Sequence, residues 1–237
     1  MVESGLGGLM LLSGTEGYRT IAAVLDPWPD DALAEAIAMV RDRGLLWNDG
    51  VAPGWASRLS ALGVKPYVRQ TFRVPLEAIV FKPEREDDAR IVPWEKRFAA
   101  EVVAIAREQA HTLDGWFLTL PAPPTAAACE SAMAAGLERL IPEASFAAVG
   151  GDRVLGHILA TEDDSGRALL FDLAVRREAQ WRGLPRRLVQ SWERALLAAG
   201  RREMIFLTTD GNRPVHRLFD RAWIARAEES RGGYWLA

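Results

Sequence analysis

The residues best suited to chemistry lie in one stretch, where the apolar run FDLAV passes into a turn rich in arginine and glycine and then into a helical pattern. From Arg176 to Arg187 this stretch has five arginines and one glutamate. A strand-turn-helix junction gathers free backbone N–H groups at the N-terminus of the helix, where the helix dipole favours an anion. The stretch predicts a binding site for a phosphate-bearing ligand, although a charge run before a helix is also typical of a solvated face.

Asp172 is the second candidate, because it interrupts the apolar strand that leads into this turn. Burying a carboxylate without a partner is costly, so its presence asks for a reason. One hypothesis makes it a general base or an anchor for an amine. The other places it on a half-exposed face of the strand or in a structural hydrogen bond. His157, in the preceding strand, could accept a proton near neutral pH or be a core histidine whose hydrogen bonds are satisfied.

The other polar candidates favour surface and packing roles. His111, His157 and His216 lack metal-ligand spacing and there is no H-E-x-x-H motif, so no metal is predicted. Cys129 lies among alanines on a helical pattern, as a small buried residue does. Glu178, beside the arginines, is expected to form a salt bridge.

Composition excludes several classes of protein. The 29 Lys and Arg against 32 Asp and Glu give a formal net charge of −3, so no overall positive field exists to hold nucleic acid or anionic lipid. A single cysteine excludes an internal disulfide and favours a cytoplasmic location. No basic residue precedes Arg19, and no apolar run approaches the ~18 residues of a membrane span. We therefore expect neither a signal peptide nor a membrane anchor.

The elements that must position the candidate residues follow from hydrophobic periodicity. The second part of the chain is predicted to contain helices at 93–111, 125–140, 185–199 and 214–222, and strands at 144–149, 154–161, 168–175 and 204–208 with a last strand ending at Trp235. This order is an antiparallel meander followed by a parallel β-α-β crossover. It predicts an α/β (α+β) fold with a mixed, mostly antiparallel sheet flanked by helices.

The first part of the chain alternates between strands and helices, predicted at 18–25, 29–44, 45–47, 54–62 and 64–76. The polar segment 82–90 has the densest acidic run and is the predicted linker. The predicted domains are therefore 1–81 and 91–237. The turn at 26–31 carries carboxylates where a phosphate site needs donors, so the first domain is expected to be structural.

The turn Gln180-Trp181-Arg182-Gly183-Leu184-Pro185 resembles the acetyl-CoA pyrophosphate motif of the GCN5-related N-acetyltransferases (GNAT), written Q/R-x-x-G-x-G/A. The predicted order of elements is also similar to that family. Further along, the family has an N-x-x-A-x-x-L-Y-x-x-x-G-F stretch beside the thioester, and its spacing is occupied here by Asn212, Val215, Leu218, Phe219, Trp223 and Ile224. The resemblance covers about residues 90–237, and residues 21–76 look like the C-terminal half of a second, degenerate GNAT domain, as in tandem acetyltransferases.

This resemblance implies the GNAT fold and an N-acetyltransferase that passes the acetyl group of acetyl-CoA directly to an amine in a ternary complex. In the family, the strand before the motif grips the pantetheine arm and the motif holds the pyrophosphate. The implied catalytic residues are Asp172, which would take the amine proton directly or through water, and Asn212. The implied contacts to acetyl-CoA are Leu173, Ala174, Val175, Gln180, Trp181, Arg182, Gly183, Leu184, Arg186, Arg187, Asn212 and Phe219.

Three residues depart from the family pattern. Pro185 replaces the small third motif residue and removes one N–H donor, although proline is sterically acceptable in the first turn of a helix. Phe219 stands where the family usually has a tyrosine whose hydroxyl can protonate the departing thiolate. Trp223 replaces the glycine of G-F and indicates an altered final turn.

These departures leave a second hypothesis open, a catalytically inactive module that binds CoA or another protein. Binding of nucleic acid through the arginine-rich helix is a third reading, against which the negative net charge argues. The acceptor, a small-molecule or peptide amine, is not identified by the sequence. A homodimer is compatible with it.

Overall fold

The computed structural model describes residues 2–3, 9–13, 19–24, 34, 38, 44–47, 55–79, 89–109, 126–209, 212–220 and 226–236. The chain divides into two compact units. The first comprises residues 1–69, 117–125 and 230–237, and the second comprises 70–116 and 126–229. The turn at 26–31 lies outside the described residues. Of the predicted helix 29–44, Ala34 and Ala38 are helical, Gly44 begins a strand, and the rest lies outside the described residues.

The described strands, in chain order, are β1 (Val2–Glu3), β2 (Leu9–Ser13), β3 (Arg19–Val24), β4 (Gly44–Trp47), β5 (Lys65–Pro75), β6 (Arg90–Pro93), β7 (Phe146–Gly150), β8 (Arg153–Glu162), β9 (Ala168–Val175), β10 (Glu203–Thr209) and β11 (Arg226–Leu236). The helices are α1 (Trp55–Ala61), α2 (Ala99–Gln109), α3 (Ala126–Leu137), α4 (Leu184–Ala198) and α5 (Arg213–Asp220). Each predicted strand from 144 onwards, and each helix from 125 onwards, is present within a few residues of its expected bounds.

The first unit contains strands β1 to β4 and the end of β11. Strands β1 and β2 are antiparallel, as are β2 and β3, whereas β3 runs parallel to β4. The C-terminal residues of β11 pair antiparallel with β4, with Tyr234 opposite Leu46. Helix α1 buries Leu59 completely. Gly63 follows the helix with a φ of +76°, the left-handed conformation that favours glycine after the end of a helix.

The second unit contains a six-stranded sheet in the order β5-β10-β9-β8-β7-β6, where β5 takes part through its residues 70–75. The neighbours β6/β7, β7/β8 and β8/β9 are antiparallel, and β9/β10 is parallel. This mixed, mostly antiparallel sheet flanked by helices confirms the predicted fold class. All the candidate site residues lie in this unit.

Helices cover both faces of this sheet. Successive side chains of a strand point to opposite faces, and in these strands the apolar side chains lie on both faces. On one face, α4 buries Leu188, Trp192 and Leu196 against a cluster that includes Ile158 and Ala160. On the other face, α2 and α3 bury a second cluster drawn from Val102, Ile105, Met133, Ala147, Leu159 and Ala174. Among the described residues, strand β9 is therefore packed against helices on both of its faces.

Residues 70–79 complete the first of these clusters. Val74 and Leu76 are 1% and 0% exposed, and the ring of Phe72 stacks on Phe206 of β10 with centroids 4.9 Å apart. The N–H of Leu76 donates to the carbonyl of Arg202 over 2.9 Å. This segment is therefore part of the core of the second unit.

The prediction of one helix over 93–111 is wrong at its beginning. Strand β6 extends to Pro93, a short 3-10 turn covers Lys96–Phe98, and α2 begins only at Ala99. Glu95 is extended, with φ −135° and ψ 143°. The N–H of Trp94 donates to the carbonyl of Ser145 over 2.8 Å, so sheet pairing with the segment before β7 replaces the first turn of the expected helix.

The predicted linker, 82–90, falls outside the described residues except at its end. There Ala89 is 2% exposed and Arg90 begins β6, so these two residues belong to the packed second unit. The division into domains 1–81 and 91–237 stays a prediction, as does the degenerate character of the first.

Candidate active site

The parallel neighbours β9 and β10 separate after a short contact. Their register pairs Ala168 with Met204 and Leu169 with Ile205, and no further pair is formed along the described lengths of these strands. The other edge of β9 stays paired with β8 as far as Val175. About half of the backbone N–H and C=O groups from Leu170 to Val175 therefore face an opening between β9 and β10, where a ligand could bind them.

A bulge in β9 changes the direction of its side chains. Leu170 lies opposite Ala160 and Asp172 lies opposite Leu159, so Phe171 is the extra residue. The ring of Phe171 occupies the space over Gly136 of α3, where an added Cβ would come within 1.9 Å of the ring. Bulges of this kind re-aim neighbouring side chains, and this one directs Asp172 towards the face covered by α2 and α3.

The junction from β9 to α4 is built around Gly183. A 3-10 segment, Arg177–Arg182, follows β9, and Gly183 with φ +76° and ψ 6° forms the N-cap of α4. A Cβ on Gly183 would meet nothing within 4 Å, so its backbone conformation, and not space, requires glycine. Leu184 is the first helical residue and the N–H of Arg187 donates to the carbonyl of Gly183 over 3.2 Å.

Two amides at this N-terminus are available to a ligand. The N–H groups of Leu184 and Arg186 precede the first intrahelical bond, whereas Pro185 has no N–H. The predicted pyrophosphate cradle therefore has these two amides as its backbone donors, one fewer than in the family motif, and stays a prediction. The side chains of Trp181 and Arg182 lie outside the described part of the chain.

Gln180 fastens this junction to the sheet and to α2. Its Nε2 donates to the carbonyl of Val175 over 3.2 Å and to Oε1 of Gln109 over 3.1 Å. The predicted motif residue is therefore engaged in holding the turn. Direct contact between Gln180 and a ligand stays a prediction.

Arg176 is fixed by acidic residues of α2. Its Nη1 lies 3.2 Å from a carboxylate oxygen of Glu108, its Nη2 lies 3.7 Å from Glu101, and its Nε donates to the carbonyl of Val154. This ion-pair clamp was not predicted from the sequence. The signal was the spacing of Glu101 and Glu108, which are seven residues apart and share one face of a helix.

Arg187 also serves the fold. Its Nη2 donates to the carbonyl of Ala89 over 2.8 Å, and its side chain is half-buried. Arg186 is half-buried on the same helix. Glu178 pairs with Arg153 at 3.8 Å, a salt bridge with a partner outside the arginine run. Part of the local positive charge is therefore neutralised or used in packing, and the roles of Arg186 and Arg187 towards a ligand stay predictions.

Asp172 and His157 are brought together. Oδ2 of Asp172 lies 2.6 Å from Nε2 of His157, and the two side chains are 8% and 0% exposed. Their contact was not predicted from the sequence, where each residue was a separate candidate. The signal was their symmetrical placement about the turn at Asp163–Gly166, because an antiparallel hairpin puts residues at equal distances from its turn near one another.

Asn212 caps helix α5. Its Oδ1 accepts a hydrogen bond from the N–H of Val215 over 3.0 Å, its carbonyl accepts from the N–H of His216, and the residue is 7% exposed. This is the N-cap arrangement, in which a side-chain oxygen satisfies a free amide of the first turn. A contact between Asn212 and the pantetheine or sulfur, implied by the resemblance, stays a prediction.

We expect Asn212→Ala to lower the free energy of unfolding by about 1 kcal/mol, because an N-cap hydrogen bond is lost. Asn212→Asp keeps the acceptor oxygen and should keep most of the stability. Thermal unfolding of both variants measures this difference. Equal stability of the alanine variant and the wild type would contradict the capping role.

Phe219 lies in the core. It is 4% exposed and its ring stacks on Phe206, with centroids 4.1 Å apart and planes inclined by 18°. Phe206 in turn stacks on Phe72, so three aromatic rings form one column. The residue that replaces the family tyrosine therefore contributes packing, and a contact between Phe219 and acetyl-CoA stays a prediction.

The described residues contain no group of three or more His, Cys, Asp or Glu side chains that could hold a metal ion. Among the described helices, none has the length and apolarity needed to cross a membrane.

Residues 113–223 match the model of the acetyltransferase (GNAT) family. No curated protein matches the sequence. Solved structures similar in fold include a GCN5-related N-acetyltransferase from Sphaerobacter thermophilus, with a TM-score of 0.64 and 14% identity over 95% of this chain and 75% of that one.

Two further solved structures are also similar over almost the whole chain. A conserved protein of unknown function from Staphylococcus epidermidis has a TM-score of 0.57 and 12% identity, covering 92% of this chain and 83% of its own. A tandem GNAT protein from the clavulanic acid biosynthesis pathway has a TM-score of 0.52 and 16% identity, covering 96% of this chain and 78% of its own. At these identities the likeness concerns the fold.

The splayed parallel strand pair and the glycine-capped helix after the central strand lie in the second unit, which contains most of the residues that match the GNAT family. The family match places residues 113–223 in the GNAT acetyltransferase family, which confirms the resemblance seen in the sequence and the expectation of an N-acetyltransferase. Members of this family typically use acetyl-CoA as the acyl donor.

Proposed function

We propose that this chain binds acetyl-CoA along the open edge of β9 and transfers the acetyl group to an amine in a ternary complex. The observation that carries the proposal is the short β9/β10 register, which leaves backbone groups of β9 from Leu170 onwards facing an opening. An extended amide-containing arm can pair with such an edge as an additional strand would. The pyrophosphate would then meet the N-terminus of α4.

The diphosphate fits the donors at the junction. Free amides at Leu184 and Arg186 lie in the first turn of a helix of 15 residues, where the dipole favours negative charge. The left-handed Gly183 turns the chain so that the helix begins directly after the motif. Arg182 and Arg186 would add charge-assisted hydrogen bonds.

The chemical step would be direct attack of the amine nitrogen on the thioester carbonyl carbon. The C–N bond forms, the C–S bond breaks, and the sulfur leaves with the bonding electron pair. A backbone amide between Leu173 and Val175 would stabilise the negative charge that develops on the carbonyl oxygen. Holding both substrates in place supplies much of the rate enhancement.

Two proton transfers complete this step. Asp172, directly or through a water molecule, would take the proton of the amine. The departing thiolate gains the second proton from water, because a thiol with a reference pKa of ~8.5 can leave without a dedicated acid. Turnover is therefore compatible with phenylalanine at position 219. The acceptor is a small-molecule or peptide amine.

We expect Gly183→Ala to weaken acetyl-CoA binding by about tenfold or more. Losing one charge-assisted hydrogen bond costs about 1.5–3 kcal/mol, and about 1.4 kcal/mol corresponds to a factor of ten in affinity. Titration calorimetry with acetyl-CoA measures the change.

Gly166→Ala is the matched control. Gly166 has φ +75° and open space around its Cβ position, as Gly183 does, but it lies in the β8–β9 turn. Both variants should lose about 1–2 kcal/mol of stability, because alanine disfavours the left-handed conformation, and only Gly183→Ala should lose affinity. Equal affinities of the two variants would count against the proposed pyrophosphate site.

The inactive CoA-binding module is separated from the enzyme by the release of free thiol. The wild type is incubated with acetyl-CoA and a panel of primary amines. Thiol release that depends on an amine supports the proposed transfer, whereas tight binding without turnover on any amine favours the module. Absence of heat on titrating acetyl-CoA would contradict both.

A further inference from the structure

His157 occupies a space that its neighbours leave for an imidazole ring. Its cross-strand partners are Ala147 on β7 and Ala174 on β9, both buried and both small. His157 itself is 0% exposed. Asp172 lies two residues from Ala174 on the same face of β9, so the pair is a diagonal cross-strand contact, within reach of long side chains.

The hydrogen bond between the two residues fixes where the proton lies. At 2.6 Å between Nε2 of His157 and Oδ2 of Asp172, a proton must be shared, because two lone pairs would repel. Nδ1 of His157 is buried and has no hydrogen-bond partner among the described residues. A proton on Nδ1 would be a buried donor without an acceptor, which is costly. The favoured arrangement is therefore a neutral imidazole with its proton on Nε2, donating to an ionised Asp172.

This arrangement leaves one carboxylate oxygen for another partner. Oδ1 of Asp172 makes no hydrogen bond to a described residue, and Asp172 retains 8% exposure whereas His157 has none. A neutral imidazole does not cancel the negative charge of the carboxylate. A cation that reaches Asp172 would complete both its charge balance and its hydrogen bonding.

We infer that His157 is a positioning residue, which holds Asp172 through Oδ2 so that Oδ1 receives the ammonium group of the acceptor. This inference rests on the proposed function and deepens it, because it requires an acceptor that arrives as a protonated amine. Asp172 binds this cation and takes one proton, and the freed amine then attacks the thioester. The second proton of the nitrogen passes through water to the departing thiolate, which leaves as the thiol. His157 does not touch the substrate and keeps its own proton throughout.

Two variants test the positioning role. In His157→Gln the side-chain amide nitrogen can reach the place of Nε2 and donate to Asp172, whereas His157→Leu has a similar bulk and no donor. We expect His157→Leu to lower kcat/KM for the amine on the order of 100-fold, since misplacing a reacting group costs that much. His157→Gln should retain most of this value.

Three measurements distinguish a positioning role of His157 from an effect of the substitution on folding. Steady-state thiol release is measured with butylamine, putrescine, spermidine and tyramine, together with the melting temperature and the affinity for acetyl-CoA. The affinity for acetyl-CoA should be the same in both variants and in the wild type. Equal kcat/KM for the amine in the leucine variant and the wild type overturns the inference, and so does a loss of kcat/KM in both variants that simply follows a loss of folded protein.

Nitrogen NMR of the wild type gives a result that does not depend on turnover. The chain has three histidines, so the imidazole signals are few and His157→Gln assigns the one of interest. At neutral pH we expect the neutral form with the proton on Nε2, protected from exchange, and a changed signal in Asp172→Asn. A proton on Nδ1, or on both nitrogens, overturns the inference.

The outcomes distinguish the inference from the function on which it rests. Turnover in the wild type with unaffected His157→Leu leaves the acetyltransferase and removes the positioning role. A wild type that binds acetyl-CoA and releases no thiol with any of the four amines contradicts the proposed transfer to such acceptors, and with it the binding of their ammonium group by Asp172.

Discussion

Leu76→Ala is expected to lower the free energy of unfolding by about 2–5 kcal/mol, the range for truncating a buried leucine. Leu76 is 0% exposed and belongs to the cluster that α4 covers, although it lies within the N-terminal domain predicted from sequence. The neighbouring Val74 and Phe72 belong to the same cluster. A core side chain taken from this segment leaves a cavity that the rest of the second unit cannot fill.

Arg73→Ala is the control for this variant. Arg73 is exposed and pairs with Glu203 at 3.4 Å, a surface salt bridge of about 0–1 kcal/mol. Urea unfolding of the two variants should therefore differ clearly in midpoint. Similar midpoints would mean that residues 70–79 do not support the core.

A fragment that begins at residue 91 is expected to fold poorly for the same reason. Such a fragment lacks Phe72, Val74 and Leu76, and it leaves the β10 edge of the sheet unpaired on that side. We expect it to be insoluble or to lack a cooperative transition, because an unpaired apolar edge favours aggregation. A soluble fragment with cooperative unfolding would instead support the boundary at 82–90.

The stability of the protein is expected to fall as the pH rises towards neutrality, through Glu193. Burial raises the pKa of this carboxyl from 4.5 to about 7, and the charges of Arg194 and Arg186 oppose the rise. Glu193 lies in α4 and is 7% exposed. The folded state therefore holds a proton that the unfolded state has already released.

The dependence of stability on pH follows from the difference in proton binding by Glu193 between the folded and the unfolded state. Because the folded pKa is the higher one, the contribution of Glu193 is fully present below pH 4.5 and is lost as the pH rises through about 7. At about 1.4 kcal/mol for each pKa unit, the difference amounts to about 3 kcal/mol. Glu193→Gln carries no such charge and should be more stable than the wild type above pH 8.

Unfolding in urea from pH 4 to pH 9 measures this difference between the wild type and Glu193→Gln. Glu143→Gln, at an exposed position, is the control and should follow the wild-type profile. Other titrating groups act equally in all three proteins, so the comparison isolates position 193. Parallel profiles for the wild type and Glu193→Gln would show that the folded protein accommodates the charge without cost.

Much of the second unit could be predicted from the sequence because its signals are local. Strand β9 has its predicted bounds, and α4 follows the glycine that ends the motif. The helix expected at 93–111 was placed wrongly at its beginning, because Trp94 pairs with a carbonyl far along the chain. Helical periodicity is visible in sequence, whereas competition from a distant hydrogen-bond partner is not.

The site was predicted in part, for the same physical reason. Gly183 could be identified from its motif, since a left-handed residue before a helix is set by the local backbone. The structural contacts of the arginines could not be predicted. Arg176 is held by Glu101 and Glu108, and Arg187 donates to the carbonyl of Ala89. These partners come from other elements of the fold. A count of charged residues along the chain gives the local excess of positive charge, but it does not identify the ion-pair and hydrogen-bond partners of each arginine.

The order of elements, the glycine-containing turn and the carboxylate in the central strand could be predicted from the amino-acid sequence. Each of these depends on residues close together in the chain. The separation of β9 from β10, the contact between Asp172 and His157, and the place of Leu76 in the core of the second unit appear only in the folded structure. These depend on register, on a bulge and on burial, which arise when distant segments compete for the same hydrogen bonds and the same volume.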